Sequence, residues 1–385
     1  MEFLAKKGDV GEASCDVFDS GSEINDTVRC TVLAPDDIGW RTVLSTLPHD
    51  FYHLPSYVDL CAQLENGKAI AFHVVGAGNH FLLPVILRAV PDFGIPTLRG
   101  WTDARSPYGY AGPLLSVTAA DSKARAAFAR RATRAVVNAM RQLRIVTGFI
   151  RCHPLLTVPA EVFNSAGQIV THGRTVSIDL TLSAEDIWKQ FRRNHRSDIK
   201  RLCATTGAVV EHDYEWRHLE DYLQAYRETL HRVRASDSYA FNAKYYQGLR
   251  DALGEKVHLF VVKIGHEVAA AGVFTEFCGI VQYHLGATLD KHLKHHPNKL
   301  LCHEVSLWAK ARGNRWLHIG GGVGGREDSL YQFKAGFSQL RHPYQTWRIC
   351  SDDDVYAQLI AASQPDLRRD PDDDYFPPYR NVDHR

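Results

Sequence analysis

No run of this 385-residue chain reaches the about 20 nearly uncharged apolar residues that a membrane-spanning helix requires. The longest candidates, Ala69 to Ala77 and Leu82 to Val90, stop short and contain His or Arg. Gly, Asp, Glu and Ser follow Met1-Glu2-Phe3-Leu4-Ala5-Lys6-Lys7 in place of an apolar segment, so no secretory signal is written there. A soluble, cytoplasmic protein is expected. The eight cysteines, spread from Cys15 to Cys350, include no C-x-x-C pair and read as small residues of a reduced protein. Metal signatures are missing as well. His303-Glu304 opens H-E-x-x-H but Leu307 stands in the fifth position, and His292, His295 and His296 have no Cys or carboxylate at ligand spacing. Cys152 and His153 are neighbours on a strand-like run and would point to opposite faces, which excludes a nucleophile–base pair. Neither a metal nor a cofactor is expected.

Net charge is also nearly absent, at +1, but its distribution is uneven. Residues 1–28 carry two Lys against seven Asp/Glu, and residues 351–385 carry four Arg against nine Asp. The remaining 322 residues hold 39 Lys/Arg against 28 Asp/Glu. A basic body between acidic ends suits a phosphate-bearing partner, because a positive field concentrates polyanions; a solvated mixed-charge surface reads the same way.

With 45% hydrophobic residues the chain can bury a sizeable core. Four regions are expected: an acidic, unstructured leader (1–28), an N-terminal domain (29–175), a C-terminal domain (176–350) and an acidic tail (351–385). In the first domain a strand at Arg29 to Ala34 precedes a helix opening at Asp36-Asp37 and another after Pro55. Strands at Ala69 to Val75 and Phe81 to Val90 flank the turn Gly76-Ala77-Gly78-Asn79. A helix marked by Ala126, Ala129, Ala132, Ala135, Val136, Ala139 and Met140 leads to a strand at Arg144 to Arg151. The second domain has the same order: helices over Ala184 to Thr205 and Trp216 to Val233, then strands Val257 to Ile264, Glu267 to Phe277 and Ile280 to Ala287. A helix Lys299 to Arg312, a strand Trp316 to Ile319, a short helix from Asp328 and a strand Tyr344 to Cys350 complete it. Helices, an antiparallel meander and an α/β crossover in both halves define an α/β (α+β) fold with mixed, largely antiparallel sheets flanked by helices.

Four segments carry candidate chemistry. Gly320-Gly321-Gly322-Val323-Gly324-Gly325 formally satisfies G-x-G-x-x-G, yet Gln345 stands where a ribose-binding acid belongs, so no dinucleotide site is expected. What remains is a loop whose backbone, at Gly321 and Gly322, can approach a substrate, or one that only needs positive φ values. Next comes Leu330-Tyr331-Gln332-Phe333-Lys334-Ala335-Gly336-Phe337. Helical spacing puts Leu330, Phe333 and Phe337 on a buried stripe and Lys334 near the glycine loop, as a cation for a phosphate or an acyl-transfer oxyanion, or as a snorkelling surface lysine. Trp188 to Arg201 has an apolar face of Ile187, Phe191, His195, Ile199 and Leu202 and a basic face with Arg192, Arg193, Arg196, Lys200 and Arg201. It is either a phosphate clamp or a solvated helix. Trp101 to Pro113, with Asp103, Arg105, Tyr108 and Tyr110, is a turn-rich loop that either lines an acceptor pocket or is structural alone.

The element order and the stretch Leu330-Tyr331-x-Phe333-Lys334-x-Gly336-Phe337 resemble the Fem-type (FemABX) aminoacyltransferases, which have tandem GNAT-like domains. Phe51-Tyr52-His53-Leu54-Pro55-Ser56-Tyr57, Ser106 to Pro113, Arg151-Cys152-His153-Pro154 and the helix through Arg196 fit as well, so the similarity spans about residues 29 to 350. The resemblance implies two GNAT-like domains, an active-site lysine at Lys334, substrate phosphate held by Arg196, and acceptor contacts from Tyr108, Tyr110 and Asp103. Gly321, Gly322, Phe333 and Phe337 complete the expected substrate-binding set. It further implies transfer of an amino acid from aminoacyl-tRNA to an amine, in a peptidoglycan precursor or a small molecule, with no DNA partner. CoA-dependent relatives of this fold place a glycine-rich pyrophosphate cradle after the meander, whereas Lys291-His292-Leu293-Lys294-His295-His296-Pro297-Asn298 has no glycine. An acyl-CoA or carrier-bound donor remains the alternative, and a non-catalytic binder of phosphorylated peptide or RNA a further one.

Overall fold

The computed structural model describes residues 15–17, 27–118, 121–233, 240–363 and 375–384. The chain divides into two compact units: Met1–Pro48, Tyr52–Val170 and Thr346–Arg385 form the first, His49–Phe51 and Thr171–Gln345 the second. Of the expected leader, Cys15–Val17 form strand β1, and most of the rest lies outside the described residues.

In the first unit β1 pairs antiparallel with β2 (Val28–Leu33). Helix α1 (Ile38–Ser45) starts at Asp37, whose carboxylate accepts the Gly39 N–H at 2.7 Å, and α2 (Pro55–Leu64) starts at Pro55, whose missing N–H is harmless at a helix start. The hairpin β3 (Lys68–Gly76) and β4 (Asn79–Ala89) turns where expected, at Ala77 and Gly78, both with positive φ. Strands β5 (Thr102–Arg105) and β6 (Leu114–Ser116) both pair with β4. Asp121 caps α3 (Ser122–Gln142), which lays Phe128, Ala129, Ala132, Val136 and Met140 on the sheet before β7 (Ile145–Arg151) returns parallel to β5.

Strand β8 (Gln168–Asp179) opens the second unit. Helix α4 (Ala184–Gln190), capped by Ser183, and α5 (Arg193–Thr206) replace the single helix expected over this stretch. The break is tertiary in origin. Phe191 and Arg192 are extended because the Arg192 N–H donates to the Gly336 carbonyl at 2.7 Å while Phe191 packs edge-on to Phe337. Strand β9 (Val209–Asp213) and helices α6 (Leu219–Val233) and α7 (Ala243–Leu253) precede the meander β10 (Val257–Ile264), β11 (Glu267–Phe277) and β12 (Ile280–Thr288). Helix α8 (Pro297–Ala311) then crosses to β13 (Trp316–Gly320), parallel to β12, and a six-residue α9 (Ser329–Lys334) follows the glycine loop. Strand order here is β8-β13-β12-β11-β10-β9.

Strand β14 (Arg341–Cys350) brings the chain back, and its residues Thr346 to Cys350 pair antiparallel with Arg151 to Thr147 of β7. The acidic tail contributes α10 (Asp353–Ser363), and its Leu359 joins Leu98, Val146 and Tyr379 in a small apolar cluster. Each unit therefore holds an antiparallel meander followed by a helical crossover to one parallel strand, β5 to β7 through α3 and β12 to β13 through α8. No helix among the described residues is long and apolar enough to cross a membrane.

Candidate active site

Lys334 ends α9, and its ammonium donates to the carbonyl of Gly321 at 2.7 Å. The residue as a whole is half-buried, yet its charged end is enclosed. Burial lowers the ammonium pKa from 10.5 to about 8, while Cys302 and Asp328 partly restore it. The glycine loop that receives this bond is shaped by its own chain. A Cβ on Gly321 would sit 2.8 Å from the Arg174 carbonyl, and one on Gly322 would sit 2.0 Å from that of Arg326. Asp328 seals the turn, accepting the Val323 N–H and the Tyr331 N–H at 2.9 Å each. A carboxylate thus occupies the anion-seeking position before the short helix, and the loop is no open phosphate cradle.

The stripe expected on α9 is corrected by its short length. Leu330 is 40% exposed, and Tyr331 is the residue buried in its place. Phe337 lies past the helix end and is fully buried against Phe191, His195 and Phe333, where it packs the core. Phe333 is partly buried against the same core. His195 reaches from α5 to the Phe333 carbonyl at 2.9 Å, and a Cβ on Gly336 would strike its imidazole at 2.2 Å. The Phe-Lys-x-Gly-Phe stretch is thereby locked to α5: Gly336 makes room for His195, and Arg192 holds the next turn. Burial lowers the His195 pKa to about 4, which keeps the ring neutral. The basic face of α5 is exposed apart from Arg196, which is half-buried one turn after Arg192.

The loop after β12 is tightly turned. His296 adopts positive φ (51°), a conformation sparsely used by residues other than glycine, and Pro297 brings no N–H to the start of α8. The Lys299 N–H is turned to the His296 carbonyl at 3.0 Å, and the buried Lys299 ammonium is held by Asp198 of α5 at 2.6 Å. Lys291 and His292 are drawn to Glu267 at 2.8 and 3.2 Å. This end of α8 offers little of the free N–H array that holds a pyrophosphate.

In the first unit three segments quoted above converge. Tyr57 donates to the Tyr108 carbonyl at 2.8 Å, His53 bonds the Gly112 carbonyl at 2.9 Å, and Tyr52 meets Tyr57 and Tyr110 edge-on. Gly109 has φ 105°, and a Cβ there would overlap the Tyr52 ring. His153 caps the following turn by accepting the Leu155 and Leu156 N–H groups. Half-buried Tyr110 thus joins an aromatic cluster with Tyr52 and Tyr57, and half-buried Tyr108 is tied to it through its backbone carbonyl. Asp103 does not join it. It is 1% exposed on β5, with Oδ1 bound by Arg88 at 2.9 and 3.1 Å and Oδ2 bound by Arg380 and by the Tyr379 hydroxyl at 3.3 Å. An acid whose oxygens serve an internal ion cluster is a brace for β5.

Sequence reasoning missed a buried polar group in the second unit, Asp50, Gln282, His284 and His318. A histidine inside the otherwise apolar strand β13 was the only local signal, and nothing near Asp50 announced it.

Residues 189–334, within the second unit, match the acetyltransferase (GNAT) domain family. No curated protein sequence matches the chain. Among solved structures FemX aligns with TM-score 0.63 at 12% identity, covering 85% of this chain and 99% of its own. The C-terminal domain (DUF2156) of a proposed lysylphosphatidylglycerol synthetase from Agrobacterium fabrum aligns with TM-score 0.51 at 12% identity, covering 84% and 94%. A tandem GNAT protein of the clavulanic acid pathway gives TM-score 0.46 at 14% identity, covering 84% and 99%. The chain has a FemX-like fold, and its second unit is similar to a GNAT domain.

Proposed function

We propose that the protein transfers an aminoacyl group from the ester of an aminoacyl-tRNA to an amine on a small molecule or peptide. The observation that carries the reading is the enclosed Lys334 ammonium, fixed beside the glycine loop by a GNAT-type framework. Attack of a neutral amine on an ester carbonyl places negative charge on oxygen, and a preorganised donor there is worth about 2.7–4 kcal/mol. Of the three N–H bonds of Lys334 the Gly321 carbonyl takes one, which orients the others. Arg196 serves the phosphate of donor or acceptor, and Tyr108 and Tyr110 serve the acceptor.

The choice of tRNA over CoA rests on the start of α8, where Pro297, the inward-turned Lys299 N–H and the Asp198 carboxylate replace a pyrophosphate cradle. A CoA thioester donor is the second reading, favoured by the match to the acetyltransferase family. The test supplies a mixed aminoacyl-tRNA pool with and without ribonuclease, beside acetyl-CoA and longer acyl-CoAs. Ribonuclease-sensitive product is expected. Product made from CoA esters and unaffected by ribonuclease refutes the tRNA donor and establishes the second reading.

A further inference from the structure

Strands β12 and β13 pair over three rungs, Ile280–Trp316, Val281–Leu317 and Gln282–His318, and then part, β12 running on to Thr288 and β13 to Gly320. A crevice at the carboxyl ends of diverging parallel strands is the usual ligand position in open α/β sheets. The last rung before the fork is polar and closed to solvent. His318 Nδ1 lies 2.6 Å from the Gln282 carboxamide oxygen, and Gln282 Nε2 donates to Asp50 Oδ2 at 2.6 Å. Asp50 Oδ1 is held in turn by the Phe51 N–H at 2.7 Å. All three side chains are at most 1% exposed.

This chain of bonds fixes a tautomer. A carboxamide that donates to a carboxylate must present its oxygen to the imidazole, so His318 carries its proton on Nδ1 and its lone pair on Nε2. Two other polar groups near the rung have partners of their own. Ser177, opposite His318 on β8, bonds His342 Nε2 at 2.6 Å. His284 bonds the Tyr245 hydroxyl at 2.7 Å, and burial pushes its pKa down to about 3. Burying a carboxylate, an amide and an imidazole in line is costly for a sheet interior that aliphatic side chains would fill.

We propose that His318 is the proton acceptor for the attacking amine, with Gln282 and Asp50 as its positioning residues. The inference rests on the acyl-transfer reading but not on the identity of the donor. The amine lone pair forms the N–C bond as the carbonyl π pair moves onto oxygen, and the surplus amine proton passes to His318 Nε2. Collapse of the adduct breaks the bond from carbon to the leaving oxygen or sulfur, and His318 returns the proton to that atom. Asp50 stabilises the intervening imidazolium through Gln282.

The test follows kcat/KM against pH with whichever donor supports turnover, in wild type, His318→Gln and Asp50→Asn. His318→Gln is expected to lose roughly 10²–10⁴-fold and with it the acid limb of the profile, at unchanged KM. Asp50→Asn should keep that limb and move its midpoint to lower pH. His318→Gln that retains the wild-type limb at near wild-type rate overturns the proposal. Should neither donor support turnover, the acyl-transfer reading fails separately, and long-range ¹H–¹⁵N spectra of histidine-labelled protein still judge the device. The expected resonance, identified by its absence in His318→Gln, is a neutral ring protonated on Nδ1 in wild type and redistributed in Gln282→Leu. A ring protonated on Nε2 in wild type overturns the proposal.

Discussion

Replacing Lys334 by Met should make the protein more stable while it destroys activity. In the folded chain the ammonium pKa is about 8 against 10.5 for the free side chain, with burial as the main cause. Between those values the unfolded chain still holds a proton that the folded chain has released, so stability rises with pH across this window. Below pH 8 the folded state bears the whole penalty, which at about 1.36 kcal/mol per pH unit is roughly 3 kcal/mol. That figure is an upper bound, because Lys334 as a residue is only half-buried. Methionine matches the volume without the charge but gives up the bond to the Gly321 carbonyl, an offset of about 1 kcal/mol. The net expectation at pH 7 is a gain of about 2 kcal/mol, or roughly 4–8 °C in the melting temperature of a unit of this size. Circular dichroism melts of both proteins at pH 7 and pH 10.5 provide the measurement, beside single-turnover transfer at pH 7. The advantage should shrink at pH 10.5, where wild-type Lys334 is neutral in the folded state and half-neutral in the unfolded chain, and the chemical step at pH 7 should fall roughly 10²–10³-fold. A mutant that melts lower at pH 7, or whose advantage persists undiminished at pH 10.5, refutes the argument that an enclosed cation is retained there for function.

Arg196→Ala should raise KM roughly 10- to 150-fold, the equivalent of one charge-assisted hydrogen bond at about 1.5–3 kcal/mol, and the loss should shrink as salt rises; Arg196→Lys should recover part of it, and steady-state kinetics at two ionic strengths check both. Asp103→Asn should leave KM unchanged and lower stability by about 3 kcal/mol, because Arg88 and Arg380 lose their shared carboxylate; thermal unfolding with parallel kinetics distinguishes this brace from an acceptor contact. Gly336→Ala should cost about 1–3 kcal/mol as its methyl displaces the His195 ring, and denaturant unfolding should show recovery in Gly336→Ala/His195→Ala.

Periodicity and local chemistry were sufficient for the elements whose apolar face and end signals lie in one stretch of chain. The alanine stripe of α3, the Gly76 to Asn79 turn and the Asp328 cap were all legible for that reason, and they placed Lys334 beside the glycine loop. The same reasoning failed at Phe191 and Arg192, where a hydrogen bond to Gly336, far away in sequence, broke a helix that local spacing favoured. It passed over α7, although Asn242 as a cap and the spacing of Tyr245, Tyr246, Leu249 and Leu253 announce it. Asp103 illustrates the limit for sites: an acidic residue in an aromatic loop suits a pocket by sequence, but its partners Arg88, Tyr379 and Arg380 come from distant strand and tail. The sequence by itself determined the order of meander and crossover, the lysine after the glycine loop and the glycine-free run Lys291 to Asn298 after the meander, since each follows from residue types close together. Only the tertiary structure decided that Asp50 meets Gln282, because a hydrogen bond between residues more than 200 positions apart leaves no local trace.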